Sequence, residues 1–166
     1  MKAVICVLAL LAATAFAHEI RYDTPSLPVE DERSWKQCFE VGKYGTVCGI
    51  VYVDSSDLTI GGRVTWNDYV VFDYHITASE VCATEDDLLK LIEMVPALAE
   101  FKPIIDEVLK TLGKIPAKVF NLCLALHDIS WQGQTLKACA KIDLTLICWM
   151  GKCVWQGSKE LGCFQI

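Results

Sequence analysis

From Trp35 onward, apolar and polar positions follow two different rhythms. Trp35 to Val41 and Thr46 to Val53 are rich in aromatic and β-branched residues and are separated by Gly42-Lys43-Tyr44-Gly45, a turn-forming tetrad. Leu58 to Ile60 leads into Gly61-Gly62, and Arg63 to Trp66 and Tyr69 to Thr77 flank Asn67-Asp68, residues that tolerate tight turns. The last third alternates strictly. Leu136, Ala138, Ala140, Ile142, Leu144 and Leu146 interleave with Lys137, Cys139, Lys141, Asp143 and Thr145. Phe120, Leu122, Leu124 and Leu126 do the same with Asn121, Cys123 and His127. A period of two places one set on each face of a strand. Ser130-Trp131-Gln132-Gly133 is the expected turn between these strands, and a turn at Trp149 to Lys152 leads to a last strand ending at Phe164.

The middle of the chain has helical spacing instead. Leu88, Leu91, Ile92, Val95, Leu98, Ile104, Ile105, Val108, Leu109 and Leu112 mark one stripe, broken by Pro96 and Pro103. Thr84 with Asp87 three residues later has the form of a capping box, and Gly113 and Pro116 end the run. Two or three short helices over residues 84–112 are expected, inserted between strands. The predicted fold is therefore mainly β: an antiparallel β-sandwich of hairpins with a helical insert, occupying residues 35–166.

The N-terminus is organised differently. Lys2 precedes an apolar run from Ala3, and Ala15-Phe16-Ala17 followed by His18-Glu19 has the small-x-small form of a signal-peptidase site. The run is short of the roughly 18–20 residues a membrane span needs. Residues 1–17 are read as a signal peptide cleaved after Ala17, with no transmembrane segment following. Residues 18–34, with Pro25, Pro28 and Glu30-Asp31-Glu32, have little apolar content and read as a flexible arm.

Secretion changes the meaning of the cysteines. Cys6 leaves with the signal peptide, and Cys38, Cys48, Cys82, Cys123, Cys139, Cys148, Cys153 and Cys163 remain. An even set in a secreted chain is a disulfide framework. A zinc site would need close C-x-x-C pairs or clustered histidines, which the spacing lacks. Cys123 and Cys139 are equidistant from Trp131, so a hairpin centred there would pair them; either could instead reach Cys82 or Cys163. Cys38 and Cys48 flank the turn near Lys43 and could close the first hairpin.

The charge narrows the partners. Fifteen Lys and Arg stand against 21 Asp and Glu, and the signal peptide removes one Lys, so the mature chain carries −7. No basic cluster is present, which disfavours nucleic acid and anionic membranes. No G-x-S-x-G or H-E-x-x-H motif occurs, and no cofactor or metal signature is found. His127 and Asp128, as neighbours on a strand, are expected to point to opposite faces, and His75 to lie on a sheet surface. A non-catalytic module is expected. Trp131, Trp149 and Trp155 lie at or near predicted turns and are the candidate partner-binding residues; the alternative for each is packing against the disulfides.

Three stretches together resemble a known family. They are Cys48-Gly-Ile-Val-Tyr-Val with Val64-Thr-Trp-Asn-Asp-Tyr-Val-Val-Phe and Cys82; Leu122-Cys-Leu-Ala-Leu-His-Asp-Ile with Cys139; and Leu161-Gly-Cys-Phe-Gln-Ile. In order and spacing, from about Trp35 to Ile166, they are similar to the secreted, cysteine-rich invertebrate proteins designated domain of unknown function 4773. The resemblance implies an extracellular setting and brings no activity with it. Similar domains occur in salivary and venom proteins, some membrane-lytic through a separate basic segment that this chain lacks. Cys148 and Cys153 are additional to the family's six positions, so pairing them with each other leaves that framework intact. The expected partners are an extracellular protein or, if the helices lid a pocket in the sandwich, a small apolar molecule or lipid.

Overall fold

The computed structural model describes residues 33–166. The expected signal peptide and most of the expected arm lie outside the described residues. Of the arm, Arg33 and Ser34 are described, and they are already part of the sheet: Ser34 opens the first strand, and the Val53 N–H donates to the Arg33 carbonyl at 3.1 Å.

Four strands form the first antiparallel sheet in chain order: β1 (Ser34–Glu40), β2 (Thr46–Val53), β3 (Ile60–Trp66) and β4 (Tyr69–His75). The second sheet is β5 (Glu80–Cys82), β6 (Asn121–Gln132), β7 (Thr135–Trp149) and β8 (Lys152–Gln165), again in chain order. Both sheets are thus meanders, and sheet follows sheet along the chain. Between β5 and β6 lie α1 (Glu85–Met94), a 3₁₀ segment (Pro96–Phe101) and α2 (Lys102–Leu112). The mainly-β architecture with a helical insert is what the periodicities predict.

The two sheets meet face to face. Val47, Val51, Val53 and Val64 from the first sheet and Leu122, Leu124, Leu126 and the Leu136 to Leu146 alternation from the second are all buried. Trp35 of β1 stacks on Phe164 of β8, ring centres 4.6 Å apart. The approach is close enough to require glycine at one point: a Cβ on Gly49 would stand 2.6 Å from Leu161 and 3.2 Å from Leu124 of the opposite sheet. The interior is therefore filled by side chains in contact, as interiors at native packing density are.

The helical insert is fixed at its start. The Thr84 hydroxyl accepts from the Asp87 N–H at 3.3 Å while the Asp87 carboxylate accepts from the Thr84 N–H at 2.8 Å, a reciprocal capping box. Asp87 is buried and also accepts from the Tyr74 hydroxyl of β4 at 2.8 Å, tying the cap to the first sheet. Pro96 opens the 3₁₀ segment and Pro103 lies in the first turn of α2, positions where a missing N–H leaves no ladder bond unmade. Gly113, with φ of 69°, supplies the left-handed C-cap. The stripe of Leu88, Leu91, Ile92, Leu98, Ile105 and Val108 is buried.

The β6–β7 hairpin departs from expectation. Gln132 pairs with Thr135, so the turn is Gly133-Gln134 and Trp131 belongs to the strand. Between His127 and Ser130 one extra residue bulges from β6, with Asp128 at φ of 54°, a region aspartate tolerates. The hairpin is therefore centred beyond Trp131, and Cys123 faces Asp143, not Cys139. The expected Cys123–Cys139 pair is replaced by Cys82–Cys123 and Cys139–Cys163, alongside Cys38–Cys48 and Cys148–Cys153.

Truncating the stripe where it is tightest should be costly. Leu91→Ala and Ile105→Ala are each expected to lower unfolding free energy by about 2–5 kcal/mol in denaturant titration, because both side chains are enclosed. Parent-like midpoints would mean the stripe does not close the core.

Candidate functional site

All eight described cysteines are bridged in four pairs. None is a free thiolate, which removes cysteine as nucleophile or metal ligand in this state. Chemistry on the described residues therefore rests on the histidines, the carboxylates and the polar clusters on the sheets' outer faces.

His75 ends β4. Its Nδ1 lies 3.2 Å from the Thr59 hydroxyl, while that hydroxyl donates to Asp57 Oδ1 at 2.6 Å. With its proton committed to Asp57, Thr59 Oγ1 accepts from the imidazole. The pair is arranged as a turn brace and not as a nucleophile with its base.

His127 is the more elaborate case. The bulge that expels Asp128 from the ladder also turns its side chain back, so Asp128 Oδ2 lies 2.9 Å from His127 Nδ1. The expectation that these neighbours diverge holds for a regular strand and fails here because the positive φ breaks the alternation. The other ring nitrogen, Nε2, lies 3.1 Å from Glu160 Oε2 of β8. β6 and β8 both flank β7, so this contact spans the central strand, over roughly two strand spacings, or about 10 Å. The hydrogen bonds to Asp128 and then Glu160 hold the imidazole above the ordinary histidine value. Cys139 faces His127 in register, but its sulfur is bonded to Cys163. A shallow surface depression beside Asp128 is lined by Lys137, Cys139, Cys163 and Phe164.

The first sheet carries a second cluster that the sequence did not reveal. Arg63 and Asp73 are register partners on β3 and β4. Arg63 Nε donates to Asp73 Oδ2 at 2.8 Å, its Nη2 donates to the same oxygen, and the Tyr52 hydroxyl donates to Asp73 Oδ1 at 2.6 Å. Arg63 is only 5% exposed. The Tyr52 ring lies over Gly61, where a Cβ would overlap it. Burial, and next the bond to Asp73, push the Tyr52 phenol up to about 12. A satisfied charge pair sealed by a ring is a structural device. Among the sequence signals, only the alternation of β3 and β4 could have placed Arg63 beside Asp73, and only once their pairing was known.

The three tryptophans are not equivalent. Trp149 and Trp155 are half-buried against the core, and Trp155 packs on Phe39 with centroids 6.3 Å apart. Trp131 is 41% exposed, and Ile129, two residues away, is 39% exposed. Of the three, only Trp131 presents a large free surface.

No helix among the described residues is long and apolar enough to cross a membrane. No protein-family model, curated protein or solved structure matches the chain.

The Arg63–Asp73–Tyr52 cluster gives a stability test. Asp73→Asn leaves the guanidinium without its charge partner and is expected to cost about 3 kcal/mol. The Tyr52 value is raised on folding, so its contribution is complete below about pH 10, the unfolded phenol value, and is lost as pH rises through about 12. Absorbance titration at alkaline pH should show a tyrosine ionising at about 12 that is lost in Tyr52→Phe, while Tyr74, raised by its bond to Asp87, keeps its own step; a profile unchanged by that substitution would contradict the cluster.

Proposed function

We propose that this chain is a secreted, non-catalytic extracellular module that binds a macromolecular partner or forms part of a secreted fluid or matrix. The observation that carries the reading is the division of the molecule into a filled apolar interior and an outer surface on which Trp131 and Ile129 stand exposed. Exposed tryptophan is the side chain most able to anchor an interface, since it buries large area at little entropic cost.

The histidine geometry supports the non-catalytic part. Each described imidazole is held by neighbouring groups with no activated hydroxyl or thiol beside it. The acidic balance speaks against nucleic acid as the partner. The signal-peptide anatomy of residues 1–17 and the bridged cysteines support an extracellular place of action. The resemblance to domain of unknown function 4773 is in keeping with this, and a salivary or venom fluid is one such setting. A carrier of an apolar ligand would require room between the sheets, and their contact at Gly49 speaks against it.

Protein collected from the medium of expressing cells should begin at His18, and native mass spectrometry should find no co-purified lipid. Trp131→Ala should fold like the parent and lose cross-linking to a partner in the native fluid. Retention of residues 1–17 with membranes, or a stoichiometric apolar ligand, would overturn the reading.

A further inference from the structure

The outer face of the second sheet brings together one imidazole and two carboxylates whose arrangement exceeds what strand pairing needs. His127 is held at both nitrogens: Asp128 at Nδ1, 2.9 Å, and Glu160 at Nε2, 3.1 Å. All three side chains are substantially open to solvent. When the Nε2 proton leaves, two carboxylates remain around one neutral imidazole and the cluster carries an excess of negative charge. Lys141, the register partner of Glu160, extends to Asp143 at 3.1 Å, and Lys137 lines the depression beside Asp128.

We propose that His127 Nε2 and Glu160 form a chelating pair for a divalent cation of the Zn²⁺ class, with Asp128 orienting the imidazole through Nδ1. Zn–N and Zn–O bonds of about 2.0–2.2 Å set donors about 3.0–3.4 Å apart across one ion, for angles between a right angle and a tetrahedral one. The Nε2 to Oε2 separation of 3.1 Å lies within that bite. Asp128 supplies the carboxylate–histidine contact that fixes the tautomer, leaving the proton on Nδ1 and the lone pair on Nε2. The remaining coordination positions face solvent and are filled by water. An imidazole with carboxylate ligands suits Zn²⁺ better than Ca²⁺ or Mg²⁺, which prefer oxygen alone. Cys139 is not a ligand, because the bond to Cys163 occupies its sulfur.

The bulge gains a purpose in this reading. It brings Asp128 beside His127, on the face that a regular β6 would deny it, while Nε2 faces Glu160 across β7.

The test is a Zn²⁺ titration of the untagged, oxidised mature protein, read at each imidazole by NMR so that His18 and His75 are resolved from His127. The His127 signals should shift in a saturable way in the micromolar range. His127→Gln should abolish that site. Glu160→Gln should weaken it at least tenfold, and Asp128→Asn roughly tenfold, as loss of an orienting partner does. Below the His127 pKa, apparent affinity should fall about tenfold per pH unit, because the ion competes with a proton. Circular dichroism and thiol assay establish that each variant is folded and fully bridged. A His127 that ignores Zn²⁺ up to about a millimolar would show a proton clamp only and overturn the proposal. Equal binding by the parent and Glu160→Gln would overturn it as well.

Discussion

Every disulfide among the described residues joins two cysteines that already face each other across adjacent antiparallel strands. Cys38 opposes Cys48, Cys82 opposes Cys123, Cys139 opposes Cys163 and Cys148 opposes Cys153, with Cα atoms 3.9–4.0 Å apart. A one-residue slip would carry every apolar side chain of a strand to the wrong face. The four bonds forbid that slip between β1 and β2, between β5 and β6, and between β7 and β8. None of them ties one sheet to the other. The sheets are joined by apolar contact between their inner faces, and that contact exists only while the register is right. The bonds are not equal in weight. Cys82–Cys123 closes a 41-residue separation that contains the helical insert, against 5 residues for Cys148–Cys153. Chain-entropy reasoning assigns them about 4 and about 2 kcal/mol. The first therefore anchors the insert, while the second only firms a hairpin tip.

This arrangement pushes function outward. The inner faces pack against each other, so the proposed recognition falls to hairpin ends and outer faces. Trp131 and Ile129 stand exposed around the same β6 bulge that brings Asp128 beside His127. A single irregularity in one strand thus sets both the proposed partner surface and the proposed cation pair. The buried Arg63–Asp73–Tyr52 cluster on the other sheet has the opposite character. It stabilises a face by pairing its charges and phenol with one another, and so offers a ligand little to bind.

Much of the fold is legible in the chain because local pattern and tertiary need agree. The turn tetrad Gly42 to Gly45 bounds a strand over Thr46–Val53, and the Thr84–Asp87 cap opens a helix, as their residue types demand. The alternation from Leu136 to Leu146 gives the buried face directly. The Ser130 to Gly133 turn fails for a specific reason. Trp131 and Gln132 continue the strand and the chain reverses at Gly133-Gln134, which displaces the hairpin centre and with it the partner of Cys123; the bulge shifts that register by one further residue and has no signature in apolar spacing. β5 is only three residues long and has no periodicity to detect. His127 with Glu160, and Arg63 with Asp73, are contacts between strands, so they become visible only when pairing is known. Trp131 is identifiable as a candidate from its place near a turn, but composition alone does not separate it from Trp149 and Trp155, which pack against the core.

Register-matched disulfides hold each sheet separately, while hydrocarbon contact joins the two. Peptide mapping of the unreduced secreted protein tests this most directly. Four linkages are predicted: Cys38 to Cys48, Cys82 to Cys123, Cys139 to Cys163, and Cys148 to Cys153. A fragment joining Cys38 or Cys48 to any cysteine of the second sheet would contradict it.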